Sequence, residues 1–105
     1  MRPAVLAIAL LAALAWPASA QDRGIAHGKA LVQLNCSGCH AIGKTDESSH
    51  PGAPPFRTLH ERYPLDALEE AFVEGIVTGH PDMPEFQATP DQIADILDYI
   101  ASLNP

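Results

Sequence analysis

The sequence predicts an all-α domain with three main helices and long loops. Three segments carry apolar residues at helical spacing, no segment alternates apolar and polar residues as a strand does, and a long Pro-rich connection occupies residues 41–63. The 105 residues allow one domain. In so small a domain, a loop of this length is expected where the chain wraps a bound group.

The first predicted helix runs from Gly24 to Asn35, and Asp22 is the residue expected to cap its N-terminus. Gly28 and Val32 share one face of this helix because they are four residues apart. Gly28 is either a neutral filler or a position where another backbone approaches closely.

The second predicted helix runs from Leu65 to Val77, after Pro64 and before Gly79, a residue that can end it. Its buried stripe is expected to consist of Leu65, Leu68, Phe72 and Ile76. The acidic residues between them are expected to face water.

The third predicted helix has the clearest start. Thr89-Pro90-Asp91-Gln92 fits a capping box with proline at the first helical position. One apolar stripe follows, formed by Ile93, Ile96, Leu97, Ile100 and Leu103. We expect the helix to end before Asn104.

Residues 1–20 have the layout of a secretory signal peptide. Arg2 supplies a positive charge, residues 4–16 are an uninterrupted apolar run, and an A-x-A segment ends at Ala20. Cleavage after Ala20 is expected to leave a periplasmic domain of residues 21–105 without a membrane span. The alternative is an uncleaved N-terminal anchor.

The formal net charge is −7. This acidic balance argues against a nucleic-acid partner, which requires a basic surface. A protein partner with a basic docking face is the expectation that fits the charge.

The two cysteines of the chain lie in Cys36-Ser37-Gly38-Cys39-His40. C-x-x-C-H indicates covalent attachment of a c-type haem, with two thioether bonds to the porphyrin and His40 as an iron ligand. A thiol–disulfide redox site, half of a zinc site and a structural disulfide are the alternatives. The first lacks a βαβ setting, the second lacks a second ligand pair, and the third would close only a tiny loop.

An electron-carrying haem needs a second axial ligand. Met83 is the only methionine outside the leader, and Pro81 and Pro84 restrict the backbone on both sides of it. His/Met ligation raises the reduction potential of the iron. His80, three residues earlier, is the rival ligand.

Together these motifs resemble the monohaem class I c-type cytochromes of bacteria, over residues 22–104. The resemblance implies the cytochrome c fold, in which three main helices and long loops surround one covalent haem. The resemblance is carried by Gly28-Lys29, the C-x-x-C-H motif, Gly79-His80-Pro81-Asp82-Met83-Pro84 and Ile96-Leu97-Asp98-Tyr99-Ile100. It also implies that Gly28 and Val32 pack against Ile96 and Tyr99.

The same resemblance names further site residues. It implies that the carbonyl of Pro54, or else that of Pro55, accepts a hydrogen bond from the His40 ring and so orients this ligand. The pocket lining would include Phe56, Leu59, Leu68, Phe72 and Ile76. The residues that could contact the haem propionates would be Arg57, Arg62 and Tyr63.

The predicted function is periplasmic one-electron transfer between protein partners, not catalysis. The chain would act as a monomer or as a small cytochrome subunit of a periplasmic dehydrogenase or terminal oxidase. A haem-based sensor or a peroxidase-like protein is a further alternative, and it would need a labile or absent sixth ligand.

Overall fold

The computed structural model describes residues 3–4, 16–76 and 80–105, and these residues form an all-α fold. Its elements are α1 (Ala20–Asn35), a 3₁₀ turn (Phe56–Thr58), α2 (Leu59–Arg62), α3 (Leu65–Val73) and α4 (Pro90–Ser102). Extended structure in this part of the chain is limited to one isolated bridge between Ile76 and Phe86. The predicted fold class is confirmed, although the 41–63 connection contains the 3₁₀ turn and α2.

Helix α1 begins earlier than predicted, at Ala20. The Ser19 hydroxyl accepts a hydrogen bond from the Asp22 backbone N–H at 3.1 Å and satisfies a donor of the first turn. With residues 1–20 present, Asp22 therefore lies inside the helix, and the N-cap is Ser19 and not the predicted Asp22. Most of the apolar run of residues 4–16 lies outside the described residues. Within the described ranges, no helix has both the length and the apolar character needed to cross a membrane.

Helices α1 and α4 cross with their backbones in contact at Gly28. A Cβ atom built on Gly28 would overlap the carbonyl oxygen of Asp95 and lie 3.0 Å from the Ile96 nitrogen. Val32 and Ile96 are completely buried at this crossing, with exposed fractions of 0% and 1%. Of the two interpretations of Gly28, close backbone approach is therefore the one that the structure supports.

Helix α3 ends at Val73, earlier than predicted. Gly75 follows with a φ of +75°, a left-handed conformation that glycine adopts without strain, and this residue stops the helix. Ile76 consequently lies beyond the helix and pairs with Phe86. Val77 and Gly79, the predicted end and terminator, lie outside the described residues.

Helix α4 has the predicted start and apolar stripe. Thr89 accepts from the Gln92 N–H at 3.3 Å, and the Gln92 side chain accepts from the Thr89 N–H at 3.0 Å, which completes the capping box. The core joins α1, α3, α4 and the 41–63 connection. Its buried residues are Val32, Ile42, Phe56, Leu59, Leu68, Phe72, Ile93, Ile96, Tyr99, Ile100 and Leu103.

Candidate cofactor site

The C-x-x-C-H segment forms a compact turn at the end of α1. The Cys36 N–H donates to the Val32 carbonyl at 2.8 Å, and the Cys39 and His40 N–H groups donate to the Cys36 carbonyl at 3.2 and 2.9 Å. The turn brings Cys36, Cys39 and His40 to the wall of one cavity, with both cysteines half-buried.

The His40 ring has a fixed orientation. Its Nδ1 lies 2.8 Å from the Pro54 carbonyl oxygen, so Nδ1 carries the proton and donates it. The Phe56 ring packs against it with the centroids 5.2 Å apart. In this tautomer, Nε2 retains its lone pair and is available to a metal ion.

The cavity beside His40 has a volume of about 860 Å³, in the size range of protein ligand sites, which is about 300–1,000 Å³. Its wall is largely apolar, as a porphyrin ring requires. The wall includes all five apolar residues named from the resemblance, Phe56, Leu59, Leu68, Phe72 and Ile76. Cavity and donor set together therefore fit a covalently held haem c.

Met83 also lines this cavity, and it is half-buried. The structure thus brings the two proposed iron ligands, His40 and Met83, to one site with the two cysteines. His80 is exposed and lines the same cavity. Its Nδ1 accepts a hydrogen bond from the Asp82 backbone N–H at 3.2 Å.

The structure does not bring Arg57 to the cavity wall, where the resemblance implies a contact with the propionates. Its Nη1 donates to the Asp46 carbonyl oxygen at 2.6 Å and lies 3.8 Å from Asp46 Oδ1. Arg62 and Tyr63 do line the cavity, and both are exposed. These two remain the candidates for contacts with propionates.

Burial raises the pKa of the Cys36 thiol to about 11. The redox-active cysteines of C-x-x-C oxidoreductases have lowered pKa values, because their chemistry depends on a thiolate at neutral pH. Cys36 is protonated under these conditions. The electrostatics of the turn therefore disfavour the thiol–disulfide interpretation of the motif.

Two residues of the cavity wall, His50 and Asp82, are not among the site residues predicted from the sequence. His50 Nε2 donates to Asp82 Oδ2 at 3.2 Å, and the His50 and His80 rings meet edge to face with centroids 5.6 Å apart. No local pattern indicates this pair, because the two residues belong to different loops. The only signal in the sequence is position, because His50 follows the C-x-x-C-H motif and Asp82 directly precedes Met83.

Comparisons with known proteins point to one family. The family model for cytochrome c matches residues 25–104. A protein described as cytochrome c-553-like from Synechocystis sp. is 29% identical over 77 residues, covering 72% of this chain and 66% of that protein. The match thus spans slightly less than two thirds of the relative's length. The comparison with solved structures finds no significant match.

Proposed function

Because the chain belongs to the cytochrome c family, we propose that it is an exported one-electron carrier with His40 and Met83 as axial ligands. The family implies a covalent haem c and electron transfer. When bound, the haem iron supplies one-electron oxidation and reduction. The observation that carries the proposal is that Cys36, Cys39, His40 and Met83 all line one cavity.

The hydrogen bonds of the two histidines support Met83 over His80. His40 donates from Nδ1 to Pro54, so its Nε2 lone pair is free for iron. His80 accepts at Nδ1, so in the neutral ring the proton is on Nε2 and neither nitrogen is free. Ligation by His80 would require its turn to rearrange, whereas the Met83 thioether requires no deprotonation.

Absorption spectra of two variants test the ligand assignment. Met83→Ala is expected to abolish the sulfur-to-iron charge-transfer band of the ferric protein and to lower its reduction potential. His80→Ala is the matched control, since it removes the rival ligand from the same turn, and it is expected to keep the band. Loss of the band in His80→Ala alone would contradict ligation by Met83.

The charges around the cavity support a partner with a basic docking face. Three carboxylates, Glu74, Asp82 and Glu85, and one guanidinium, Arg62, line the cavity, so its acidic groups outnumber its basic ones. Both lysines of the chain line a separate cleft of about 500 Å³. Charge complementarity accelerates encounter and is weakened by salt. A cationic partner is therefore expected to approach the cavity face.

Electron exchange with hexaammineruthenium, a cationic reagent, tests the charge of this face. Its rate is expected to fall as ionic strength rises, and Glu74→Gln with Glu85→Gln should weaken that dependence. Asp91→Asn with Asp98→Asn, two exposed changes on α4 away from the cavity, is the control with the same change of net charge. Equal effects of the two charge changes would show that no particular face is used.

The leader supports export to the periplasm, with cleavage after Ala20. This cut would remove the Ser19 hydroxyl that caps α1 and leave Asp22 as the next side chain able to take that role. Mass spectrometry of the exported protein is expected to find Gln21 at the N-terminus. Retention of residues 1–20 in a membrane fraction would support the uncleaved anchor instead.

A further inference from the structure

The turn that carries Met83 is organised by His80. The Asp82 N–H donates to His80 Nδ1 at 3.2 Å, and the Met83 N–H donates to the His80 carbonyl at 3.2 Å. Both hydrogen bonds are internal to the turn. They define its shape, but they do not hold it against another part of the chain.

One side-chain hydrogen bond ties this turn to the segment that follows the cysteines. His50 Nε2 donates to Asp82 Oδ2 at 3.2 Å, and the His50 ring meets the His80 ring edge to face. Within residues 16–76 and 80–105, no other side-chain hydrogen bond joins residues 80–87 to a distant segment. Together with the backbone pairing of Phe86 with Ile76, the pair is therefore placed to determine where the Met83 turn lies.

His50 is itself anchored beside the C-x-x-C-H motif. Its backbone N–H donates to the Cys39 carbonyl at 3.2 Å, and its carbonyl accepts from the Ala53 N–H at 3.2 Å. Its side chain is 30% exposed, compared with 64% for Asp82. Replacing the His50 side chain thus removes the contact with Asp82 and leaves both backbone hydrogen bonds available.

We propose that the His50–Asp82 pair is a latch that holds the Met83 turn against the cavity and opposes displacement of Met83 by external iron ligands. This inference rests on the proposed ligation by Met83. An external ligand can bind only when Met83 has left the iron. A contact that stabilises the closed turn shifts the equilibrium between the closed and the open turn. It lowers the apparent affinity for the external ligand by the same factor.

Cyanide binding to the ferric holoprotein at one fixed pH measures the latch. His50→Ala is expected to raise the cyanide affinity about fivefold, the factor that corresponds to the loss of one ordinary hydrogen bond. The sulfur-to-iron band should remain in the cyanide-free variant. His50 and Asp82 thus act as positioning residues, and neither is proposed to touch the iron.

His27→Ala is the matched control. His27 Nδ1 donates to Asp95 Oδ2 at 2.6 Å, so this variant also breaks a histidine–aspartate pair. That pair joins α1 to α4, and neither residue lines the cofactor cavity. The variant is expected to lower the thermal unfolding temperature without changing the cyanide affinity.

A double-mutant cycle with Asp82→Ala isolates the pair itself. If the two side chains act on each other, His50→Ala combined with Asp82→Ala should raise the affinity no further than the stronger single change does. Additive effects would overturn the latch, because each residue would then act independently. The latch is also overturned if His50→Ala binds cyanide like the parent protein, or if His27→Ala raises the affinity equally.

Met83→Ala separates failure of the latch from failure of the proposed ligation. It is expected to raise the cyanide affinity more than any latch variant does. If it raises the affinity while His50→Ala does not, the ligation stands and the latch falls. If Met83→Ala leaves both the spectrum and the affinity unchanged, Met83 is not the sixth ligand and both proposals are overturned.

Discussion

At the scale of single residues, Gly28 controls how closely α1 and α4 approach. We predict that Gly28→Ala lowers the free energy of unfolding by about 1–3 kcal/mol, because its Cβ would overlap the Asp95 carbonyl oxygen and force the helices apart. Denaturant unfolding of the holoprotein measures this. Gly24→Ala is the control on the same helix, since there the new Cβ meets the movable end of the Asp95 side chain, 2.9 Å away. Equal losses in the two variants would contradict the prediction.

Tyr99 should make the stability of the fold depend on alkaline pH. Its hydroxyl donates to the Ile42 carbonyl at 2.5 Å, and burial, followed by the nearby Asp46 carboxylate, raises its pKa above the ordinary value of 10.0. The folded-state pKa is higher than the unfolded one, so this contribution is complete below pH 10 and is lost as the pH rises further.

Comparison of Tyr99→Phe with the parent protein tests this pH dependence. Near neutral pH, the variant is expected to be less stable by about 1 kcal/mol, because it lacks the hydrogen bond to Ile42. Above pH 10 this difference should shrink, since only the parent then loses a proton from this site. Unfolding free energies measured across the alkaline range give the result, and a difference independent of pH would refute the assignment.

At the scale of elements, the start of α4 depends on hydrogen bonds within its first turn. Thr89→Ala is predicted to lower the unfolding free energy by about 1 kcal/mol, because it leaves the Gln92 N–H without its capping acceptor. Thr89→Ser keeps the hydroxyl and should restore most of the loss. The exposed Thr45→Ala provides a control for removing a threonine hydroxyl elsewhere. Thermal unfolding of the three variants is the measurement, and a full loss in Thr89→Ser would exclude the cap as the cause.

This locality explains which elements the sequence predicts well. The start of α4 follows from residues within one turn, Thr89 to Gln92, and its apolar stripe repeats over the whole helix. The end of α3 does not follow in this way. The positive φ of Gly75 accompanies the pairing of Ile76 with Phe86, a contact between separate segments that no periodicity reveals.

The residues of the candidate site likewise differ in how well the local sequence predicts them. Cys36, Cys39 and His40 are predicted by a contiguous motif, and Met83 by its proline-bounded turn. The resemblance implies a propionate contact for Arg57, whereas in the structure its side chain contacts the carbonyl and carboxylate oxygens of Asp46. Such competition between partners depends on loop geometry. The partner that a charged side chain contacts therefore cannot be predicted from composition and spacing alone.

At the scale of the whole molecule, the cavity is part of the core. Phe56, Leu59, Leu68 and Phe72 are buried core residues, and all four also line the cavity of about 860 Å³. With the haem bound, their apolar surface packs against a large ring. Without it, the same surface would face a water-filled cavity of that volume, and the contacts of α4 with α1 and α3 would have to hold the fold.

We therefore predict that the chain is largely unfolded without haem. A variant with Cys36→Ala and Cys39→Ala, isolated free of haem, should show a weak helical signal in far-UV circular dichroism and no cooperative thermal transition. The haem-loaded parent should show both, because two thioether bonds and the two proposed iron bonds would fix segments that the small core cannot hold by itself. Adding haem to the variant provides an intermediate case. The proposed iron ligation by His40 and Met83 can then form without the covalent bonds, and it should restore part of the helical signal. A native-like spectrum with a cooperative transition in the haem-free variant would contradict the prediction and show that the buried side chains suffice.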